Sequence, residues 1–427
     1  MKMNKYLWIL LLLSLGLSLG IAQPTPSTSP STYYSQSQLA VDIAGLPAIR
    51  GTWYFVDPTT GSATNSGKLK SAAFATLKTA YDACTSGAGD GICVVARGTG
   101  TASQTTSYLK APLAWSKYSI TVYGLADEAY FGRARITTTV PVTTGATVTM
   151  TAHTVVRTLG SFITDNWAVG STGYCTSSGT ASTNNAATFT VTAVTALTLT
   201  FTETFTAQTA AECGTVVLTG YFAPLITISG ENNRFFNLHI VNGSTLVQGI
   251  GGVSVQANRN YFKNCHFIGA SNATAAAVAT TQFDIEAAAS ELQFDDCYFG
   301  TKSTIYAAAN AHIKLGISTT QIGQVFFNRC KVISYSATAG HGAIIVTNAV
   351  TLGGWITFSD CTFSNWNSGA ITALTTVIIG ATPNNCGIFL HNCGEIGWAA
   401  WGANDDKWVT DNAAGAAGVG GIGLNIQ

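Results

Sequence analysis

Charge is scarce in this chain. Of its 427 residues, 20 are Lys or Arg and 20 are Asp or Glu, and the formal net charge is zero. A nucleic-acid surface needs basic stripes, and none runs through this sequence, so nucleic acid is excluded as a partner. Proline is also rare, at nine residues, while Gly, Ala, Thr and Ser abound, as in secreted or virion-surface β proteins. The sequence has no nucleophile–base motif, no glycine-rich phosphate loop and no clustered metal-ligand spacing. These gaps leave few places for chemistry and turn attention to the repeats.

In the second half cysteine recurs at Cys265, Cys297, Cys330, Cys361 and Cys393, with gaps of 32, 33, 31 and 32 residues. The flanks recur with it: Tyr261-Phe-Lys-Asn-Cys-His-Phe267, Phe294-Asp-Asp-Cys-Tyr-Phe299, Phe327-Asn-Arg-Cys-Lys-Val332, Phe358-Ser-Asp-Cys-Thr-Phe363 and Leu390-His-Asn-Cys-Gly-Glu-Ile396. An earlier copy, Phe235-Phe-Asn-Leu-His-Ile240, carries Leu238 in the cysteine slot. A fixed period of this size signals stacked structural repeats. Apolar residues alternate around each cysteine, and a second alternating run precedes it: Val253-Ser-Val255, Phe283-Asp-Ile285, Ile313-Lys-Leu315, Ile344-Ile-Val346 and Val377-Ile-Ile379. Alternation and β-branching predict strands. The predicted fold is all-β: a right-handed parallel β-helix, with a short N-terminal capping helix and an inserted small β module.

Coils of a parallel solenoid repeat every ~4.8 Å, so equivalent residues stack into ladders. Leu238, Cys265, Cys297, Cys330, Cys361 and Cys393 then form a structural ladder of buried small hydrophobes. Leu238 replaces a thiol cleanly, which argues against a metal or disulfide array. Asn237, Asn264 and Asn392, with Asp296 and Asp360, share the preceding slot and are read as a ladder satisfying turn backbone.

Lys2 and Lys5 precede an apolar run from Tyr6 to Ala22, and Gly20-Ile-Ala22 has the form of a cleavage site. Residues 1–22 are therefore read as a cleaved export signal, with an uncleaved membrane anchor as the alternative. Residues 23–38 are a flexible linker rich in Ser, Thr and Pro. Residues 39–144 hold the cap and first coils, with an amphipathic helix over Ser71–Cys84. Residues 145–220 form the inserted module, 221–412 the main β-helix and 413–427 a Gly/Ala-rich tail. The expected location is secreted, on a cell surface or on a virion. Export permits disulfides, and Cys84 with Cys93 and Cys175 with Cys213 are the local pairs available.

Tyr54-Phe-Val-Asp57, Gly61-Ser62, Phe74-Ala-Thr-Leu77, Tyr81-Asp-Ala-Cys84 and Gly89-Asp-Gly-Ile-Cys-Val-Val95 resemble the opening of pectate-lyase-like right-handed β-helix proteins, over roughly residues 52–135. Phage tail spikes and secreted polysaccharide-active proteins share that opening. The segment from Gly160 to Leu199 resembles a small β module of phage structural proteins, with Ser171-Thr172 where Gly-Asp is usual. The resemblance implies a solenoid that displays one face to a partner.

Two sets of residues are candidates for function. Asp284 and Glu286 flank Ile285 in a strand and project to one face, as acid–base or calcium-binding carboxylates require. A cross-coil Asp284–Lys314 ion pair is the plainer reading of the same residues. No cofactor is expected beyond calcium at that pair, and no other metal. Trp355, Trp366, Trp398, Trp401 and Trp408 cluster late, either as a binding surface for glycan or protein or as a cap. Asp295-Asp296 with Gly340-His341-Gly342 are fragments of a galacturonan-hydrolase set whose other members are missing. The leading expectation is a non-enzymatic fibre, spike or adhesive protein that binds glycan or a cell-surface or virion protein and forms homo-oligomers or filaments. The alternative is a secreted lyase or glycoside hydrolase acting on an acidic polysaccharide.

Overall fold

A three-residue strand such as Phe283–Ile285 has two apolar side chains on one face and a polar one on the other, so it needs neighbours to bury its apolar face. In the computed structural model those neighbours are the same strands one coil earlier and later. The structure describes residues 46–411 apart from 96–108, 126–132, 139, 180–182, 185, 247–250, 272–275, 277–280, 287–288, 308–310, 317–321, 339, 348–355, 367–375, 381–387, 400 and 402–407. The predicted signal segment, linker and terminal tail lie outside these residues.

Three parallel sheets run the length of the solenoid. Sheet I stacks Leu113–Trp115, Ile226–Ile228, Val253–Val255, Phe283–Ile285, Ile313–Leu315, Ile344–Val346 and Ile378–Gly380. Sheet II has ten strands, from Trp53–Val56 to Trp408–Asp411, and includes the strand before each repeated cysteine. Sheet III begins at Ala134–Ile136, ends at Gly394–Ile396 and includes the strand after each cysteine. Consecutive coils pair in parallel without slip, for example Phe283↔Ile313 and Ile285↔Leu315. This is the predicted parallel β-helix, and crossovers between parallel strands wind right-handed.

The inward faces form one continuous hydrophobic cluster from Val56 to Trp401. Phe235, Phe262, Phe294, Phe327 and Phe358 stack along it with ring centroids 4.9, 4.9, 4.6 and 4.3 Å apart and planes within 9°. Beside this column lie Leu238 and the five repeated cysteines, all buried and unbridged. The thiols do more than fill space. Each donates to a phenylalanine carbonyl of the coil before: Cys265 Sγ to Phe235 O at 3.5 Å, Cys297 to Phe262 at 3.5 Å, Cys361 to Phe327 at 3.4 Å and Cys393 to Phe358 at 3.3 Å. Burial pushes the Cys297 thiol well above its ordinary pKa, so it stays protonated and inert.

The bend between sheets II and III is a single left-handed residue in six successive coils: Asn237, Asn264, Asp296, Arg329, Asp360 and Asn392, with φ between 49° and 55°. Asn and Asp tolerate this conformation better than other side-chain-bearing residues. The bend's N–H is satisfied by the next coil's backbone, as Asn264 N to Asp295 O at 2.9 Å shows. The Asn and Asp side chains instead bond one another across coils, as Asn264 Nδ2 to Asn237 Oδ1 at 2.9 Å shows. Arg329 lacks a short amide and is tied to Asp296 at 2.8 Å.

The N-terminal end of the core is covered by helix α1, Leu77–Ala83. Thr76 caps it by accepting from Thr79 N at 3.1 Å, and Leu77, Ala80 and Tyr81 face the core. The helix is shorter than predicted: Phe74 lies before it, bridged to Val56 in extended conformation. Lys117 Nζ closes its C-terminus, donating to the carbonyls of Tyr81, Asp82 and Cys84 at 2.7, 2.9 and 2.6 Å.

The inserted module is a seven-stranded antiparallel sheet between Val142 and Tyr221, with its own core around Trp167, Phe189, Phe201 and Phe205. Cys175 and Cys213 both lie in that core as free thiols rather than the pair expected from spacing. Cys84 and Cys93 likewise form no disulfide. Cys84 belongs to the solenoid core, whereas Cys93 alternates with the core residues Ile92 and Val94 and so projects to the opposite face.

Candidate functional site

The outward face of sheet I follows from its register. Between the core-facing positions, Ala114, Thr227, Ser254, Asp284, Lys314, Ile345 and Ile379 stand in one ladder. Ile285 is buried, so Asp284 and Glu286 on either side of it project outward together. Thr281 Oγ1 donates to Asp284 Oδ1, and Ser254 Oγ donates to Glu286 Oε1 at 3.2 Å. Desolvation raises the pKa of Asp284, opposed by the Thr281 hydroxyl and the Lys314 charge. Glu286 is also raised, first by desolvation and then by the neighbouring charge of Asp284.

Asp284 and Lys314 are register partners, but they do not form the expected ion pair. Among the described residues Lys314 makes no carboxylate contact within 4.0 Å, and each carboxylate instead takes a hydroxyl from its own surroundings. Three charged groups therefore meet on one face without neutralising one another by contact. Two raised carboxylates beside an ammonium can hold and release a proton, and the ammonium can hold an anionic substrate group. The described residues contain no group of three or more His, Cys, Asp or Glu arranged as a metal site.

The tryptophans separate. Trp398 and Trp401 are 7% and 6% exposed and pack in the solenoid core, Trp401 edge-on to Phe363 at 5.6 Å. They cap the last coils and are not a binding surface. Trp366 alone is shown exposed, at 42%, with Lys302 Nζ 3.8 Å above its ring. Trp355 and the side chain of Trp408 lie outside the described residues.

The hydrolase fragments also come apart. Asp295 is on the outer face of sheet II, where it accepts from Tyr261 Oη at 2.6 Å. Asp296 occupies a bend and pairs with Arg329. His341 is fully buried just before the sheet I strand Ile344–Val346, and Ser334 Oγ lies between its Nε2 at 3.0 Å and His312 Nε2 at 2.6 Å. Burial, then the neighbouring His341, holds the pKa of His312 well below the usual histidine range. This cluster is sealed from solvent and does structural work.

Two features gain their meaning only in the structure. On sheet III, His239 and His266 stack in register at 4.5 Å, and Arg133 lies over Tyr298 at 4.4 Å. Desolvation holds both imidazoles uncharged, His266 with a pKa of about 4. The second is Glu395. Register places it opposite Phe363, in the inward column of Ile240, Phe267, Phe299 and Val332. Its Oε2 is buried without a hydrogen bond, and burial pushes the carboxyl up to about 7. Aligning the repeats would have exposed this acid in an apolar slot.

No family model matches this chain, and no curated protein matches it. Solved structures similar to it include pectin methylesterase PemA from Erwinia chrysanthemi, at 12% identity and a TM-score of 0.42, covering 86% of this chain and 90% of that one. Pectate lyase Pel9A is similar at 11% identity and a TM-score of 0.43, covering 89% and 85%. A GH136 lacto-N-biosidase from Eubacterium ramulus is similar at 9% identity and a TM-score of 0.36, covering 81% and 56%.

Proposed function

We propose that this chain is a polysaccharide-active β-helix protein that cleaves an acidic polysaccharide at the outward face of sheet I. One observation carries the reading: Asp284, Glu286 and Lys314 share that face with the ion pair unformed and both carboxyls raised. A mutually neutralised pair would have left the face inert and favoured the purely adhesive role. Perturbed carboxylates on a rigid strand are what acid–base chemistry uses. Glu286, raised partly by its neighbour's charge, holds the proton and protonates the leaving oxygen. Asp284, with a hydroxyl donor and Lys314 nearby, is the carboxylate that activates water. Lys314 binds a uronate carboxylate.

The test is digestion of polygalacturonate by the mature chain. Hydrolysis releases reducing ends, and elimination adds a conjugated double bond that absorbs in the ultraviolet. Glu286→Gln and Asp284→Asn are each expected to lower the rate about 100-fold or more. No cleavage of any uronate polymer by folded wild type, or full activity in both variants, would refute the reading. Secretion or surface display belongs to the same proposal and is read by where the tagged chain accumulates in its own host.

A further inference from the structure

The outer face of sheet II is a second surface with different chemistry. Register sets two outward ladders side by side. One runs Thr121, Arg234, Tyr261, Gln293, Phe326, Thr357, Phe389; the other runs Tyr123, Phe236, Lys263, Asp295, Asn328, Ser359, His391. Five aromatic rings therefore stand on the outside of a rigid parallel sheet. Phe326 is 39% exposed, and Tyr123, Phe236, Tyr261 and Phe389 are partly exposed. Tyr123 and Phe236 rings lie 6.3 Å apart, and Tyr261 meets Phe236 edge-on at 5.6 Å. Seven strands at ~4.8 Å make this face about 29 Å long, with rungs spaced on the scale of a sugar residue.

The charge on this face is one-sided. Arg234 and Lys263 are exposed and flank the Phe236–Tyr261 pair, and among the described residues neither has a carboxylate within 4.0 Å. Asp295, the acid in these two ladders with a described side chain, is already occupied. It accepts from Tyr261 Oη at 2.6 Å, Asn328 Nδ2 at 2.8 Å and Gln293 Nε2 at 3.1 Å. The nearby acids Glu291 and Asp296 are bound to Arg259 at 2.6 Å and Arg329 at 2.8 Å. The face thus offers two uncommitted cations beside aromatic rings, with its acids satisfied internally. Rings present a surface for the C–H face of a pyranose, and cations present one for its carboxylate.

We infer that the outer face of sheet II is a non-catalytic binding surface for a uronate-bearing polysaccharide, held by Arg234, Lys263, Phe236 and Tyr261. This deepens the proposed function, because it gives the polymer a hold on a face separate from the cleavage site. Its test is binding, measured by gel retardation in polygalacturonate and in a neutral glucan, with Glu286→Gln as the parent to prevent cleavage. The R234S/K263S double variant is expected to bind polygalacturonate about tenfold more weakly, as loss of two exposed charge contacts gives. The parent's binding is expected to weaken with added salt. Phe236→Ala is expected to weaken it without changing the salt dependence. Tyr261→Phe removes a donor to Asp295 but keeps the ring, and is expected to bind as the parent does. Unchanged binding in R234S/K263S, or equal retardation in the neutral glucan, would overturn the inference. These outcomes do not depend on cleavage: a chain that binds through this face but cleaves nothing would sink the proposed activity and leave this surface standing.

Discussion

Replacing Phe294 with Ala tests the ladder reading most directly, because Phe326 provides a control from the same sheet. Phe294 is fully buried between Phe262 at 4.9 Å and Phe327 at 4.6 Å, with Phe283 edge-on at 5.1 Å. Truncating a buried phenylalanine costs about 3–5 kcal/mol, and the spread depends on how far the cavity collapses. Collapse is limited here, since the rings on either side are fixed by their own strands. Two lost ring contacts, at about 0.5–1.5 kcal/mol each, are already part of that loss and place the expected value near the upper end. Phe326 sits one strand later and faces solvent, so Phe326→Ala is expected to change stability by about 0.5 kcal/mol or less. Chemical denaturation followed by far-ultraviolet circular dichroism measures both. Hydrogen exchange then shows whether protection falls first in the coils next to Phe294, as nearest-neighbour stacking requires. Equal destabilisation by the two variants would mean that the inward and outward faces are misassigned and the register is wrong by one residue.

Glu395→Leu fills an inward slot whose carboxyl is pushed up to about 7. A carboxyl raised in the fold costs stability that builds as pH rises from about 4.5 and is complete above about 7, so the variant is expected to gain about 1 kcal/mol at pH 8 and less at pH 5; equal gains at both would refute the burial argument. Buried His312 and His266 have lowered pKa values, so the unfolded chain takes up protons that the fold refuses as pH falls below 6.5. Stability is expected to drop as pH falls below about 6.5, with His266 contributing about 1.4 kcal/mol per pH unit down to about pH 4. The H312Q variant, titrated the same way, should show a shallower slope. Arg329→Asn puts a residue suited to the left-handed bend in place of one that is not and should raise stability by about 0.5 kcal/mol after losing the exposed Asp296 pair; a clear loss in melting temperature would show that the ion pair dominates. The repeated cysteines should resist alkylation in the native protein and all react in denaturant, and native labelling of Cys297 would contradict its burial.

Much of the fold was written into the sequence in a form that needs no distant information. A coil that repeats its pattern every 31 to 33 residues meets a copy of itself, so local periodicity and long-range contact are the same fact. That is why Cys265 to Cys393, with Leu238, located the core, and why Val253, Phe283, Ile313 and Ile344 located the strands of sheet I. The candidate site was legible only in part. Strand alternation put Asp284 and Glu286 on one face, and repeat alignment put Lys314 beside them. Whether those charges close on one another depends on side-chain directions set by the hydroxyls of Thr281, which lies outside the repeat strands, and of Ser254, whose ladder position alone does not show which carboxylate it meets. The tryptophans show the same limit, since Trp366 is exposed while Trp398 and Trp401 close the core. Sequence thus determined the coils, their register and which residues share a rung. Tertiary structure decided which shared residues touch, which thiols stay apart and which rings face water, because those outcomes turn on distances of a few ångströms between coils that the period alone does not set.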